Sequence, residues 1–420
     1  MKTIRLFVTA FALLTISQFS VAQVTTAQIR EQIAKGECET AQALYNVYKA
    51  MNGTNKVLER EISECSCCVL LPIKVDGKYG YIDEKGKQII SPKYDRADRF
   101  KDGLALVGVS NKYGFIDKTG QYVISPQIDD LHDDFEFVEE LCVAKVNGKW
   151  GYYNKTGRCV IKPQFENAWN FSEGLASVRL NGKWGAINAT GRFIIPCRYD
   201  YLGAFCEGLA VAFLNDKCGF VDKTDTMVID FEYDDAYAFS EGLACVKVGD
   251  NWGYINKTGR MVIPAKFGYA HSFLNGIAVA GVVVERLELY GRVLLNVKRG
   301  LINRSGSYIL YPNYSEIHRG TGDVFTVCLD GKWGIVDKDG RIVVRPQYDN
   351  AGFFSEGLVA VKVGDRRDGL WGYVNEKGSM VITPQFNGYT AGEFQDGIAE
   401  IYTDDKKGFI DKTGKIICLY

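Results

Sequence analysis

The side chains best suited to chemistry in this 420-residue chain are three histidines, His132, His271 and His318, twelve cysteines, and a carboxylate-rich run from Asp129 to Glu140. Each would serve a different reaction. A histidine beside a serine or cysteine could act as the general base of an acyl transfer, but no nucleophile elbow, phosphate loop or dinucleotide fingerprint is present. All three histidines stand in links between repeated segments, and none belongs to a metal-binding pair on a helix. Asp129-Asp130-Leu131-His132-Asp133-Asp134-Phe135-Glu136 crowds several carboxylates, the donors calcium prefers, although a solvated acidic loop explains the same run more simply. Cys65-Ser66-Cys67-Cys68 has no second half with zinc-like spacing. No catalytic residue, metal site or cofactor is therefore expected, and a hydrolase built on dispersed acidic residues ranks last among the functions considered.

The elements that carry these residues are set by one stretch, Glu241-Gly-Leu-Ala-Cys-Val-Lys-Val-Gly-Asp-Asn-Trp-Gly-Tyr-Ile-Asn-Lys-Thr-Gly-Arg-Met-Val-Ile-Pro264. Leu243 to Val248 reads as a half-buried strand with Ala244, Val246 and Val248 on one side. A two-residue turn follows, written Asn147-Gly148, Asn181-Gly182 or Asp330-Gly331 in other copies, dipeptides that accept positive φ at both positions. Trp252 to Asn256 reads as the second strand. Asn256-Lys257-Thr258-Gly259 fits a type I turn with an Asx residue first and a left-handed glycine last, leading into Met261 to Ile263. Pro264 is expected to stop that third strand.

Versions of this stretch recur with a marker glycine at Gly80, Gly114, Gly151, Gly185, Gly219, Gly253, Gly300, Gly334, Gly372 and Gly408, and five of the nine spacings are 34 residues. A tandem array is the reading that fits. The residue before the marker is aromatic in seven copies: Tyr79, Tyr113, Trp150, Trp184, Trp252, Trp333 and Trp371. A glycine inside a strand marks a bulge or a close approach, here expected from an aromatic ring of a neighbouring copy. Links such as Pro346-Gln347-Tyr348-Asp349-Asn350-Ala351, running through Phe354 to Glu356-Gly357, should pin each connection to the core through the tyrosine, alanine and phenylalanine.

The Lys-Trp-Gly step at Lys149, Lys183 and Lys332, the Asn-Lys-Thr-Gly turn and the Phe-Ser-Glu-Gly-Leu link resemble the WG-repeat (KWG-repeat) family of bacterial proteins. The resemblance runs from about Val69 to Tyr420. It implies a β-rich repeat protein without a shared reaction or catalytic residues.

The expected fold is an all-β tandem array of ten three-stranded antiparallel units spanning residues 69–420, behind a small α-helical cap at 23–68. An open superhelical or solenoid stack is preferred to propeller-like closure, because propeller blades usually hold four strands and number about four to eight. In the cap, Thr26 could start a helix over Ala27 to Ala34, with further helices over Glu39 to Met51 and Lys56 to Ser63. Residues 1–22 read as a signal peptide, with basic Lys2 and Arg5, an apolar run from Leu6 to Phe19 and small residues before Gln23. An exported protein, periplasmic or extracellular, follows. In that setting Cys38 and Cys65, which flank the main cap helix, are expected to form a disulfide, with Cys67 or Cys68 as the other partner considered. The remaining cysteines look like small buried apolar residues.

A net charge of −1, with both signs interspersed, gives no reason to expect nucleic acid. No later run of about 18 apolar residues suggests membrane insertion after leader cleavage. The expected partner is a protein. A glycan stacked on exposed aromatics is the alternative, although tryptophans at one repeat position more often pack between copies. The largest departure from the period is thirteen extra residues between Gly253 and Gly300. Strand-forming residues flank Tyr290-Gly291 there, which predicts two lengthened strands and a projecting hairpin. Leu287, Leu289, Tyr290, Leu294 and Leu295 are its candidate partner-binding residues.

Overall fold

The computed structural model describes residues 25–34, 44–45, 47–49, 55–56, 58, 69–83, 86–131, 136–289, 292–320, 322–365, 367–403 and 406–420. The leader, Cys38, Cys65, Cys67, Cys68, His132 and Tyr290 lie outside the described residues. Two compact units divide the chain, 1–107 with 116–121, and 108–115 with 122–420.

In the first unit a helix spans Thr26–Ala34. Thr25, not Thr26, is its cap: the Gln28 N–H donates to Thr25 Oγ1 at 3.3 Å, and Gln28 Oε1 accepts from the Thr25 N–H at 2.8 Å. This reciprocal pair is a capping box one residue earlier than expected. Ile29, Leu44, Tyr45 and Leu58 form a small buried cluster.

Ten small antiparallel sheets follow, seven of four strands and three of three. They are numbered here as blades 1 to 10, spanning 71–94, 96–128, 141–165, 167–199, 201–233, 235–267, 269–314, 316–348, 350–386 and 398–419. The expectation of three-stranded units is corrected. A short strand opens each four-stranded sheet and pairs with the strand after it, two residues long in six of them, such as Asn167–Ala168, Asp235–Ala236 or Asn350–Ala351, and four residues, Glu316–Arg319, in blade 8. Such a four-stranded meander is a propeller-type blade. The open superhelical stack, preferred because three strands were counted per unit and ten units exceed the usual blade number, is corrected with it.

Blade 6 shows how the residues produce the sheet. Its long strands are Leu243–Val248, Asn251–Asn256 and Met261–Phe267. The first does not bury one side only: Leu243, Ala244, Cys245 and Val246 are all buried, while Val248 is 47% exposed. A strand covered on both faces by neighbouring blades loses the alternation expected of a half-buried one. Asn256 Oδ1 accepts from Thr258 N at 3.1 Å, Thr258 Oγ1 at 2.8 Å and Arg260 N at 3.0 Å, which fixes the Asx turn ahead of Gly259 at φ 81°.

Pro264 does not stop the third strand, which runs on to Phe267. The register shifts between the Tyr254–Ile263 and Trp252–Phe267 pairs, so the proline falls in a bulge where no ladder donor is needed. The link residues behave as expected. Tyr199, Tyr348, Ala351 and Phe354 are buried.

Candidate functional site

At four joints between blades, the hairpin tips are tied by a lysine, an aspartate and a backbone N–H. Lys217 of blade 5 meets Asp234 at 2.6 Å, and Asp234 also accepts the Gly249 N–H of the blade 6 tip at 2.6 Å. Lys183, Asp200 and the Asn215 N–H repeat the arrangement, as do Lys332, Asp349 and the Gly364 N–H, and Lys112, Asp129 and the Gly148 N–H. The lysine ammonium in each case holds Asp129, Asp200 and Asp234 below the ordinary carboxylate range. Asp129, the first residue of the acidic run, is thus committed to a structural tie.

The joint between blades 6 and 7 has lost both charged partners. Asn251 stands where the lysine would be, and Gly268 where the aspartate would be. A Cβ on Gly268 would lie 2.6 Å from Val283 Cγ2 and 2.9 Å from the Val283 nitrogen. Val283 belongs to the lengthened hairpin, so the root of that hairpin fills the place of the missing tie. Arg286 reaches Asp250, in the blade 6 tip, at 3.6 Å.

The hairpin consists of Ile277–Leu289, 13 residues, and Arg292–Asn303, 12 residues, whereas the corresponding strands of blade 6 have six each. The two extra halves pair with each other from Val282–Lys298 out to Leu289–Arg292. The neighbouring strands of the sheet stop short: Tyr269–Ala270 reaches only Gly281, and Tyr308–Tyr314 only Arg299. The extension, roughly 20 Å long, therefore has no further strand on either side among the described residues. Val282, Val283, Val284 and Leu295 are all more than one-third exposed.

The register separates the candidate residues. Leu287 opposes Leu294, Leu289 opposes Arg292, and Leu295 opposes Arg286. Leu287, Leu289 and Leu294 thus share one face of the ladder, and Leu295 lies on the other. A bulge between Val283 and Glu285 sets this division.

The marker aromatics are largely interior. Trp150, Trp184, Trp333 and Trp371 are buried, and half-buried Trp252 lies 5.3 Å from Tyr237. The expectation that a neighbouring ring covers the marker glycine is overturned. A Cβ on Gly253 would meet Ala265 N and Ile263 O at 2.7 Å, both backbone atoms of the blade's own third strand. Gly80, Gly151, Gly185, Gly334 and Gly372 face the same backbone at 2.4–2.6 Å, and Gly114 does so at 2.4 Å. The bulged third strand passes too close for any side chain.

The described histidines and cysteines sit in separate packed settings. His271 is held below its ordinary value by burial and by Arg299, and its Nε2 lies 2.6 Å from the Tyr269 hydroxyl. His318 is stacked on Phe353 at 4.4 Å and lies 4.5 Å from Trp333. Burial pushes Cys142 and Cys218 up to about 12, as inert interior thiols should be. Among the described residues no group of three His, Cys, Asp or Glu could hold a metal ion.

A family model for the WG-containing repeat matches nine segments, 79–113, 113–150, 150–184, 184–218, 219–252, 252–282, 300–333, 333–366 and 371–406. The chain belongs to the WG-repeat family. No curated protein matches it. Among solved structures the WG-repeat chain is similar to a eukaryotic initiation factor at 10% identity, covering 76% of this chain and 96% of that one, with a TM-score of 0.49. It is also similar to the tricorn protease (10% identity, 83% and 48% covered, TM-score 0.31) and to PorZ of Porphyromonas gingivalis (11%, 81% and 56%, TM-score 0.26). At these scores no function carries across.

The WG-repeat frame shows what sequence reasoning missed. Between the matched segments ending at 282 and starting at 300 lies the hairpin extension. Asn251 and Gly268, replacing lysine and aspartate at its joint, were present in the sequence, as were Leu370 and Asn387 at the joint between blades 9 and 10. They had no meaning until the tie linking each pair of positions was visible. Among the described residues no helix is long and apolar enough to cross a membrane.

Proposed function

We propose that this WG-repeat chain is an exported, non-enzymatic binding or scaffold protein, and that the extension of the blade 7 hairpin is its docking element for a protein partner. One observation carries the reading: a two-stranded ribbon with both edges unpaired among the described residues stands at a blade joint where Asn251 and Gly268 replace a charged tie seen at four other joints. Open strand edges accept an added strand through main-chain hydrogen bonds, and flanking apolar residues add specificity. An isolated two-stranded ribbon is marginal in water, which favours a partner that covers it. Burial of four marker tryptophans leaves little ring surface for a sugar, so a protein partner is preferred to a glycan. Export rests on the leader-like residues 1–22, and the proposed Cys38–Cys65 disulfide belongs to the same reading; peptide mapping without reductant that finds both thiols free removes it.

The docking reading is tested by placing a photo-crosslinking residue at Leu295 in intact cells, with the exposed Ile342 of blade 8 as control. A discrete adduct at position 295 and none at 342 is expected. No adduct at either position, or the same adducts at both, removes the hairpin as a docking element.

A further inference from the structure

We propose, building on the docking reading above, that the partner is a second copy of this chain, and that the open edge of Ile277–Leu289 pairs with the same edge of that copy. Two ribbons then become one four-stranded antiparallel sheet.

The free edge is short and well bounded. On the root side Gly268 lies against Val283, and the bulge falls before Glu285. Glu285 to Leu289 remain. When two antiparallel strands are related by a two-fold axis normal to the sheet, opposed residues must share a face, so their numbers sum to an even value. Centring the axis on Glu285, Arg286 or Glu288 would set two like charges directly opposite each other. Centring it on Leu287 sets Leu287 opposite Leu287 of the second copy, Arg286 opposite its Glu288, Glu288 opposite its Arg286, and Glu285 opposite Leu289 in both directions.

That register is complementary on both faces. Arg286 and Glu288 share the face of Leu295, so both opposite-charge pairs fall there. On the other face Leu287 already opposes Leu294 within each hairpin. A row Leu294, Leu287, Leu287, Leu294 then crosses all four strands, supplying the apolar face and strand number that a lone ribbon lacks. The return-strand edge, Arg292 to Lys298, carries positive charges only, so no self-pairing register there gains an ion pair. The contact Arg286 makes with exposed Asp250 at 3.6 Å is a surface pair worth little and leaves Arg286 available. An isologous pairing of this kind closes at a dimer and does not propagate. Its small area places it among weak, concentration-dependent associations.

Sedimentation velocity of the full chain across a concentration series tests the register. The wild type should pass from monomer to dimer as concentration rises. Arg286→Glu and Glu288→Arg should each raise the dimer dissociation constant roughly tenfold or more, because both opposed pairs become like-charged. An equal mixture of the two single variants should associate again, since each chain then meets its opposite, and the double variant should associate with itself. Single variants that dimerise like the wild type, or a mixture that stays monomeric, overturn the proposal. A wild type that remains monomeric while position 295 crosslinks to a different protein overturns the second copy and leaves the docking reading standing. Unchanged sedimentation in all variants with no adduct at 295 removes both.

Discussion

Glu207 of blade 5 accepts the backbone N–H of Gly242 in blade 6 at 3.0 Å, and Lys257 of blade 6 closes on the same carboxylate at 3.0 Å. Glu207 holds φ at 54°, in the left-handed region that costs a residue bearing a Cβ about 1 kcal/mol. Glu173, Glu241 and Glu356 repeat the turn and its contacts, to Gly208 and Lys223, Gly276 and Arg304, and Gly397 and Lys412. A strained residue recurs because its carboxylate spans the joint. Glu207→Ala should therefore destabilise by about 1–2 kcal/mol in urea melts. Glu207→Gly loses the same contacts but relieves the backbone, and should cost less. Equal losses would show that the turn carries no strain.

Acid should loosen these joints. Lys223 holds Glu173 below its ordinary value of 4.5 against the opposing effect of burial, and Lys183 and Lys217 hold Asp200 and Asp234 below 3.8. A depressed folded pKa contributes stability that is whole above the unfolded value and is lost as pH falls through the folded one. The Tm should stay nearly level from neutral pH down to about 5 and fall below that. Lys223→Met should lower Tm at neutral pH and reduce the further loss on acidification. A Tm that rises as pH drops below 4.5 contradicts this account.

The marker glycine should matter more than the ring beside it. A methyl at Gly253 meets two backbone atoms of the third strand at 2.7 Å, and backbone cannot yield as a flexible side chain can. Gly253→Ala should cost about 2–3 kcal/mol, whereas Trp252→Tyr, which keeps most of the packed area, should cost less than about 1.5 kcal/mol. Thermal melts that rank the two the other way would remove the close-approach explanation.

One carbonyl in several links is satisfied in two interchangeable ways. Tyr152, Tyr254 and Tyr373 donate to the carbonyls of Trp169, His271 and Gly392 at 2.7–2.8 Å. In blades 4 and 8 the same position is Ala186 or Ile335. There the cross-strand neighbours Ser177 and Thr326 donate instead, to Gly203 at 2.8 Å and Gly352 at 3.0 Å. Tyr254→Ile in blade 6 should cost about 2–4 kcal/mol. Adding Cys245→Thr, at the residue opposite Tyr254, should recover about 1 kcal/mol by copying blade 8. No recovery would mean that the two solutions are not equivalent.

These details show where the sequence was informative. Leu243–Val248 was bounded to the residue, because dipeptides that accept positive φ and Asx turns punctuate each strand. Asp235–Ala236 was invisible as a strand, since two residues cannot display a period, and its absence from the count led to the wrong choice between blade and stack. The run through Pro264 was hidden for a related reason: a bulge excuses the proline, and a bulge leaves no local signal beyond the marker glycine it requires. For the candidate site, thirteen extra residues were enough to predict the hairpin. They were not enough to divide Leu287, Leu289 and Leu294 from Leu295, because the bulge after Val283 resets which residues share a face.

The most direct test of the docking account is removal of the extension itself. Deleting Val284 to Leu294 leaves Val283 and Val297, already paired, joined by Leu295-Asn296 as a two-residue turn, so blade 7 regains an ordinary hairpin. Melting temperature and crosslinking can be read on the same variant, with the crosslinking residue kept at position 295. The account predicts a Tm within about 2 °C of wild type, consistent with a change of a few tenths of a kcal/mol in a chain this large, and complete loss of the adduct. A collapse of the Tm would place the hairpin in the structural core, and an adduct that survives the deletion would place the docking surface elsewhere.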